Sequence, residues 1–240
     1  MQTRLKISEN CLEAEGVLIP YDPAIITPPI AHAIKSGYFE AEEAAHIPHI
    51  VRPDDIVLDI GAGIGFISTL ISRHAKRVVS VEANPALLPF MEKLHELNSV
   101  KNTIRLNTVL GEATGGTATF YQRTDFWMGS LAAGPNPYRS TIDVPVTGFD
   151  ALLKKTGVTL IVCDIEGAES FLFRNVNLHK VDRIYLELHD HITGLKGIAA
   201  LFSDLSNCGF TYDPRHSSGA IVLFQKVREN ETLRPYARTG

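Results

Sequence analysis

Residues Val57-Leu58-Asp59-Ile60-Gly61-Ala62-Gly63-Ile64-Gly65-Phe66 leave this chain few folds to choose from. They read as an apolar strand that runs into a glycine-rich turn and opens a helix. In an α/β protein such a turn lies at the carboxyl end of a strand, where nucleotide-like ligands bind. Glycines at every second position let the backbone approach a ligand more closely than any Cβ allows. The nicotinamide fingerprint G-x-G-x-x-G needs a glycine three positions after the second one. Phe66 stands there, and the third glycine has moved one place earlier, to Gly65.

The rest of the chain fits that turn. Before it, partial alternation around Leu12, Ala14, Val17 and Ile19 suggests a short strand or hairpin ending at Pro20. Thr27 and Pro28 open a helix that stops near Gly37, and a second helix over about Phe39 to Val51 is kinked or ended by Pro48. From Ile56 onward strands and helices alternate, the mark of a parallel sheet covered on both faces. The predicted strands are 56–60, 77–82, 104–110, 160–164 and 183–188, with helices over 64–74, 84–98, 149–155, 169–174 and 195–207. Asn84 is the N-cap of the second of these helices, with Pro85 behind it and Pro89 bending its first turns. Residues 117–123 form an extra strand outside the main order, 142–146 return as a strand, and 210–212 with 220–226 close the fold as a hairpin. Residues 124–140 have no period and are rich in Gly, Pro and Ser, so they form a long loop, either a lid carrying Trp127, Tyr138 and Arg139 or a disordered segment. The expectation is one domain over 1–240: an N-terminal helical cap region (1–52), a core (53–227) and a mobile tail (228–240).

Composition excludes several classes. The 240 residues suffice for one well-buried core, and 45% hydrophobic with 21% charged residues is an ordinary globular mixture. The net charge of −4 comes with no basic stripe, so no nucleic-acid partner is expected. No apolar run reaches membrane-span length, and Arg4, Lys6 and Glu9 break any signal-peptide core. Cys11, Cys163 and Cys208 lack C-x-x-C spacing and read as reduced thiols. The expected location is cytoplasmic.

The acid two places before Gly61 makes the turn D-x-G-x-G-x-G, which resembles the first motif of S-adenosylmethionine-dependent methyltransferases. That cofactor presents a ribose, an amino acid and a sulfonium. Glu82, ending the second strand about twenty residues after Gly61, suits both ribose hydroxyls. Asp59 is expected to orient the glycine loop or to reach the methionine amino group through water. Gly61, Gly63, Gly65, Phe66, Asn84 and Gly111 complete the predicted cofactor set with Asp164 and Glu40. Asp164 ends the fourth strand, where it can bind the methionine amino group or lie beside the transferred methyl. Glu166 and Glu169 follow it and also suit a helix N-terminus.

Asp164-Ile165-Glu166-Gly167-Ala168-Glu169 resembles the D-[VI]-E-G-x-E motif of the FkbM family of methyltransferases. Gly37-Tyr38-Phe39-Glu40 with Glu43, Ser130-Leu131, Val144-Pro145-Val146 and Leu186-Glu187-Leu188-His189 resemble further family segments in the same order, over about Ile7 to Val227. Cys163 replaces a common lysine and Gly63 a common asparagine. The resemblance implies a Rossmann-like, seven-stranded class I methyltransferase fold, a doubly wound and mostly parallel sheet with an antiparallel C-terminal hairpin. It further implies S-adenosylmethionine as donor, S-adenosylhomocysteine as product, and O-methylation of a small-molecule or glycan hydroxyl. The alternatives are a non-catalytic binder of the same cofactor and a methyltransferase acting on protein or nucleic acid. An alcohol needs its proton removed during transfer. His189 is the expected base, with Asp164, Glu187, Asp190 and His191 as alternatives. Glu40 and Glu43 either close over the methionine end or form an exposed helix face. Carboxylates and imidazoles from two adjacent strand ends could hold a divalent ion, but their spacing matches no metal motif, and no metal is expected.

Overall fold

The computed structural model describes residues 10–228. A hairpin of β1 (Cys11–Ala14) and β2 (Val17–Pro20) precedes helices α1 (Pro28–Ser36) and α2 (Ala41–Ile50). Strand β3 (Ile56–Ile60) enters the glycine turn, followed by α3 (Phe66–Ser72), β4 (Arg77–Glu82), a 3-10 turn at Pro85–Leu87 and α4 (Leu88–Leu97). Next come β5 (Thr103–Asn107), β6 (Val109–Gly111), β7 (Thr117–Gln122), β8 (Ser140–Gly148) and α5 (Phe149–Thr156). The chain continues through β9 (Leu160–Cys163), α6 (Glu169–Leu172), β10 (Arg183–Glu187), α7 (Asp190–Asn207), β11 (Phe210–Ser218) and β12 (Ile221–Lys226).

The main sheet has seven strands in the order β11-β12-β10-β9-β3-β4-β5. β5, β4, β3, β9 and β10 run parallel, while β12 lies antiparallel to both β10 and β11. From β3 the connections go first to β4 and β5 on one side, then return to β9 and β10 on the other. That reversal opens a crevice between the carboxyl ends of β3 and β9, the usual ligand position in open α/β sheets.

Alternation along β3 explains the two cores. Val57 packs with Ile64, Ile71, Ile47 and Tyr185 on one face, whereas Leu58 and Ile60 pack with Phe149, Leu153 and Leu205 on the other. Each such side chain contributes roughly 1.5–3 kcal/mol when fully buried. By the same period of two, Asp59 shares the face of Val57.

Several expectations need correction. Residues 104–110 are two strands rather than one. Thr108 breaks the run because its hydroxyl donates to the Pro145 carbonyl (2.7 Å) and lies 2.9 Å from the Thr147 hydroxyl, which draws β6 out of the main sheet. β6 pairs with β8, and β8 with β7, as a separate three-stranded sheet. Thr27 occupies the N-cap of α1 without capping it, since its hydroxyl donates to Asp125 at 2.5 Å. Pro48 does not end α2, which continues to Ile50. α7 begins at Asp190 and is broken at Gly194 (φ 64°, ψ 174°), so the segment predicted from Leu195 onward gains a preceding turn. Asn84 caps the 3-10 turn as predicted, accepting from the Ala86 N–H. Arg228 pairs with Asp182 (3.0 Å), and the rest of the predicted tail, 229–240, lies outside the described residues. Cys163 and Cys208 are free thiols.

Candidate active site

A cavity of about 1300 Å³ opens at the carboxyl end of the sheet. It exceeds the roughly 300–1,000 Å³ typical of a small-molecule pocket. Its lining includes Gly61 and Gly63, Glu82, Gly111, Glu40 and Asp164 from the predicted set, together with His191, Trp127 and Phe126.

The glycine turn is shaped by close approach. A Cβ on Gly61 would lie 1.7 Å from the Asp164 carbonyl oxygen, so β3 and β9 meet here backbone to backbone. A Cβ on Gly63 would lie 3.2 Å from the Phe126 ring, which roofs the turn. Gly65 answers a packing need: its Cβ would meet Met91 and His95 at 2.5 and 2.9 Å. Phe66 is buried with its ring 5.2 Å from that of Phe39. Neither Gly65 nor Phe66 lines the cavity, because α3 turns both toward the core.

Glu82 is held by backbone. Its two oxygens accept from the Gly63 N–H (2.8 Å) and the Asn84 N–H (2.7 Å), leaving a lone pair on each. Asn84 therefore acts here through its main chain, while its side chain accepts from Gln122 and caps the next turn. Asp59 is 3% exposed, makes no hydrogen bond to the glycine turn, and its Oδ2 has no partner among the described residues. Burial pushes Asp59 up to about 7, reinforced by the charge of Glu82 and opposed by the Ser80 hydroxyl. Burial also raises Glu82 to about 7 against its backbone hydrogen bonds.

Strand ends distant in sequence bring the remaining acids together. His189 is 3% exposed and does not line the cavity. Its Nδ1 lies 3.2 Å from Glu169, whose other oxygen accepts the Gly167 N–H at 2.9 Å. Its Nε2 faces Asp164 (3.4 Å), Glu166 (3.8 Å) and Glu187 (4.0 Å). Burial disfavours the imidazolium, but the bond to Glu169 and the charges of Asp164 and Glu166 outweigh it, raising His189 to about 9. Asp164 keeps 46% of its side chain exposed. Displaced water and the charge of Glu187 hold it well above the ordinary carboxylate range, against the pull of His189. Glu40 is raised by burial and by Glu43, Asp164, Asp59 and Glu187. Glu40 (φ 48°) and Glu166 (φ 51°) both adopt the left-handed backbone, which costs a non-glycine residue roughly 1–3 kcal/mol.

The loop 124–140 is organised by a residue that sequence reasoning left at the end of a strand. Arg123 is buried and donates to the carbonyls of Tyr121, Met128, Ala132 and Asn136 and to the Ser130 hydroxyl. Trp127 stacks on Phe39 at 6.2 Å and faces the cavity, whereas Tyr138 packs on Tyr121 and lies outside the lining. Standing between Gln122 and Thr124-Asp125, Arg123 reads in the sequence as an ordinary polar strand end. Replacing Arg123 by methionine is expected to leave these carbonyls unsatisfied and open the loop. Limited proteolysis should then cut within 124–140 several times faster than in the parent, at little cost to the main sheet.

A second expectation follows from the raised acids. Asp59 and Glu82 hold protons up to about 7 when folded but release them near 3.8 and 4.5 when unfolded, and His189 stays charged up to about 9 rather than 6.5. From about pH 6.5 to 8.5 the folded state therefore binds more protons than the unfolded one, and stability falls as pH rises. Buried His95, lowered to about 4 by burial and Arg105, opposes this only below 6.5. Urea unfolding across that window should show a loss of roughly 2 kcal/mol, smaller in Glu82→Gln.

The sequence profile described as Methyltransferase FkbM domain matches residues 59–212. A "Probable ribosomal RNA small subunit methyltransferase A" from Methanosarcina mazei is 41% identical over 63 residues, covering 23% of each chain. The matched stretch is thus about a quarter of that relative's length. Among solved structures, M. jannaschii TYW2 in complex with AdoMet has a TM-score of 0.49 at 14% identity, covering 90% of this chain and 86% of that one. The ribosomal protein L11 methylase of Lactobacillus delbrueckii subsp. bulgaricus has a TM-score of 0.46 at 14% identity, covering 78% of each. Among the described residues no helix is long and apolar enough to cross a membrane.

Proposed function

The chain belongs to the FkbM methyltransferase family, and from that premise we propose that it transfers a methyl group from S-adenosylmethionine to a hydroxyl oxygen of a sugar, glycan or secondary metabolite. The observation that carries the reading is the acidic floor of the cavity. Asp164 opens into it beside the glycine turn and Glu82, with Glu40 on the same wall. When bound, S-adenosylmethionine supplies a methyl carbon made electrophilic by the sulfonium.

The residues present fit that donor. Gly61 and Gly63 bring the bare main chain of the turn to the cavity wall, and Glu82 offers two fixed oxygens suited to a ribose diol. Gly111, at the end of β6, adds a wall without a side chain. Asp164 is the group at the cavity surface that accepts the acceptor's proton. The raised basicity of its carboxylate suits that task better than an ordinary aspartate would. His189, charged and tethered to Glu169 behind it, holds Asp164 in place rather than serving as the base. Asp59 backs the glycine turn from the core side.

The same floor disfavours a polyanionic acceptor. Glu40, Glu82, Glu112, Asp150, Asp164 and Glu166 line the cavity, against Arg174 as the one arginine or lysine among the described lining residues. A phosphate backbone would meet net repulsion there.

Calorimetric titration with S-adenosylmethionine, S-adenosylhomocysteine and NAD tests the cofactor. Micromolar binding of the two sulfur compounds, weakened at least about tenfold in Glu82→Ala (the loss of about 1.4 kcal/mol), is expected, with none for NAD. Labelled-methyl transfer to a panel of glycosides, tRNA, rRNA and protein then tests the acceptor. Product on nucleic acid or protein alone would refute the small-molecule reading.

A further inference from the structure

We infer that Asp164, Glu166 and His189 form a binding site for a divalent cation of the Mg²⁺ or Mn²⁺ class at the floor of the cavity. The spacing matches no metal motif, and the sequence offered only the general possibility that carboxylates and imidazoles at two adjacent strand ends hold a divalent ion, without saying which. One donor atom from each residue lies within 4.8 Å of the others.

The distances decide between an ion site and a simple ion pair. An imidazolium bonded to a carboxylate sits about 2.7–2.9 Å from it. Here Nε2 makes no hydrogen bond among the described residues, and three carboxylates stand off at 3.4, 3.8 and 4.0 Å. Donors about 2.1 Å from a shared ion are separated by about 3.0 Å when adjacent and about 4.2 Å when opposite. The spacings from Nε2 to Asp164 and Glu166 fall inside that interval.

The imidazole is prepared as a ligand. Its buried ring has Nδ1 against Glu169, and Glu169 is fixed in turn by the Gly167 N–H. With the Nδ1 proton directed to Glu169, a bound cation would displace the Nε2 proton that the imidazolium otherwise holds, and the freed lone pair would face Asp164 and Glu166. This carboxylate–histidine relay orients metal-bound histidines generally. Charge balance points the same way, since Asp164, Glu166 and Glu187 outnumber the single positive charge that His189 can carry. Two carboxylates with one imidazole, and no thiolate in the group, suit Mg²⁺ or Mn²⁺.

The role of the ion rests on the methyl-transfer reading, although its binding does not. An acceptor hydroxyl coordinated at the open side of Asp164 would be acidified, and its proton would pass to the carboxylate oxygen not engaged by the ion. An acceptor with a second oxygen adjacent to that hydroxyl would chelate the ion, favouring vicinal diols and hydroxy-carbonyl compounds.

Electron paramagnetic resonance of the metal-stripped chain titrated with Mn²⁺ tests the site. One tightly bound ion per chain is expected, with nitrogen coupling from His189 in the pulsed spectrum. Affinity should fall at least about tenfold in Asp164→Asn and in Glu166→Gln, and stay within about twofold in Glu112→Gln, an acid elsewhere on the cavity wall. His189→Gln should abolish the nitrogen coupling, with circular dichroism verifying its fold. No Mn²⁺ binding by the parent, or equal binding by Asp164→Asn and Glu166→Gln, would overturn the inference. S-adenosylhomocysteine binding, measured separately, distinguishes the two readings. If it persists without Mn²⁺ binding, the cation site fails alone; if Mn²⁺ binds and it does not, the methyltransferase reading fails alone.

Discussion

Gly61→Ala is expected to remove cofactor binding and to lower stability by about 3 kcal/mol. Two costs add. At φ 84° an alanine pays for the left-handed backbone, roughly 1–2 kcal/mol. Its Cβ would also lie 1.7 Å from the Asp164 carbonyl oxygen and 3.1 Å from the Ile165 side chain. The 1.7 Å contact is with main chain, so no rotamer change relieves it. The ends of β3 and β9 must separate, which pulls Asp164 away from His189 and moves the Gly63 N–H relative to Glu82. Cofactor affinity should fall at least a hundredfold, equivalent to about 2.7 kcal/mol. Calorimetry and urea unfolding measure the two effects. An alanine variant that binds S-adenosylhomocysteine as tightly as the parent would show that the turn does not approach the ligand. Gly63→Ala is the milder comparison, since Phe126 is a side chain that can yield.

Asp164→Asn should lower the turnover number about 10²- to 10⁴-fold while S-adenosylhomocysteine affinity changes less than about fivefold. The amide keeps the shape of the carboxylate, so packing around Glu166 and Glu187 survives, but it accepts no proton from the acceptor. It also removes one negative charge beside Glu187, so the variant should be no less stable than the parent. Initial rates with labelled donor and the acceptor identified by the panel give the first number, and calorimetry the second. A turnover number within a few-fold of the parent would remove Asp164 from the chemistry and return Glu187 or His191 to consideration.

The two variants separate kinds of control. Gly61 acts on geometry, so donor binding and fold should suffer together. Asp164 acts on proton transfer, so turnover should suffer alone. Between them lies His189, whose substitution should change the pH dependence of turnover more than donor affinity, because it sits behind the cavity surface and acts through Asp164.

The loop after β7 shows how far composition can mislead. Its glycines, prolines and serines leave a lid and a disordered segment equally open. Neither alternative depends on the residue that decides the matter, Arg123, which lies just before the loop and gathers its carbonyls. Phe126 and Trp127 then fall over Gly63 and Phe39, forming a fixed roof. Thr27, reaching Asp125, ties that roof to the N-terminal helices.

The sequence by itself determined the strand–glycine–helix turn, the alternation that builds a parallel sheet, the carboxylate at the end of β4 and the closing antiparallel hairpin. Each is a local pattern: the strand period of two, the helix period near 3.6, and turn residues whose backbone preferences act within a few positions. Tertiary structure alone decided which of the many acids meet. Asp59 looked like a ligand by its place before Gly61, yet the pleat of β3 turns it into the core. His189 looked like a free base, yet the adjacency of β9 and β10 sets it among Glu169, Asp164, Glu166 and Glu187. Strand order follows from how two apolar faces are covered across the whole sheet, and no short window of sequence carries that information.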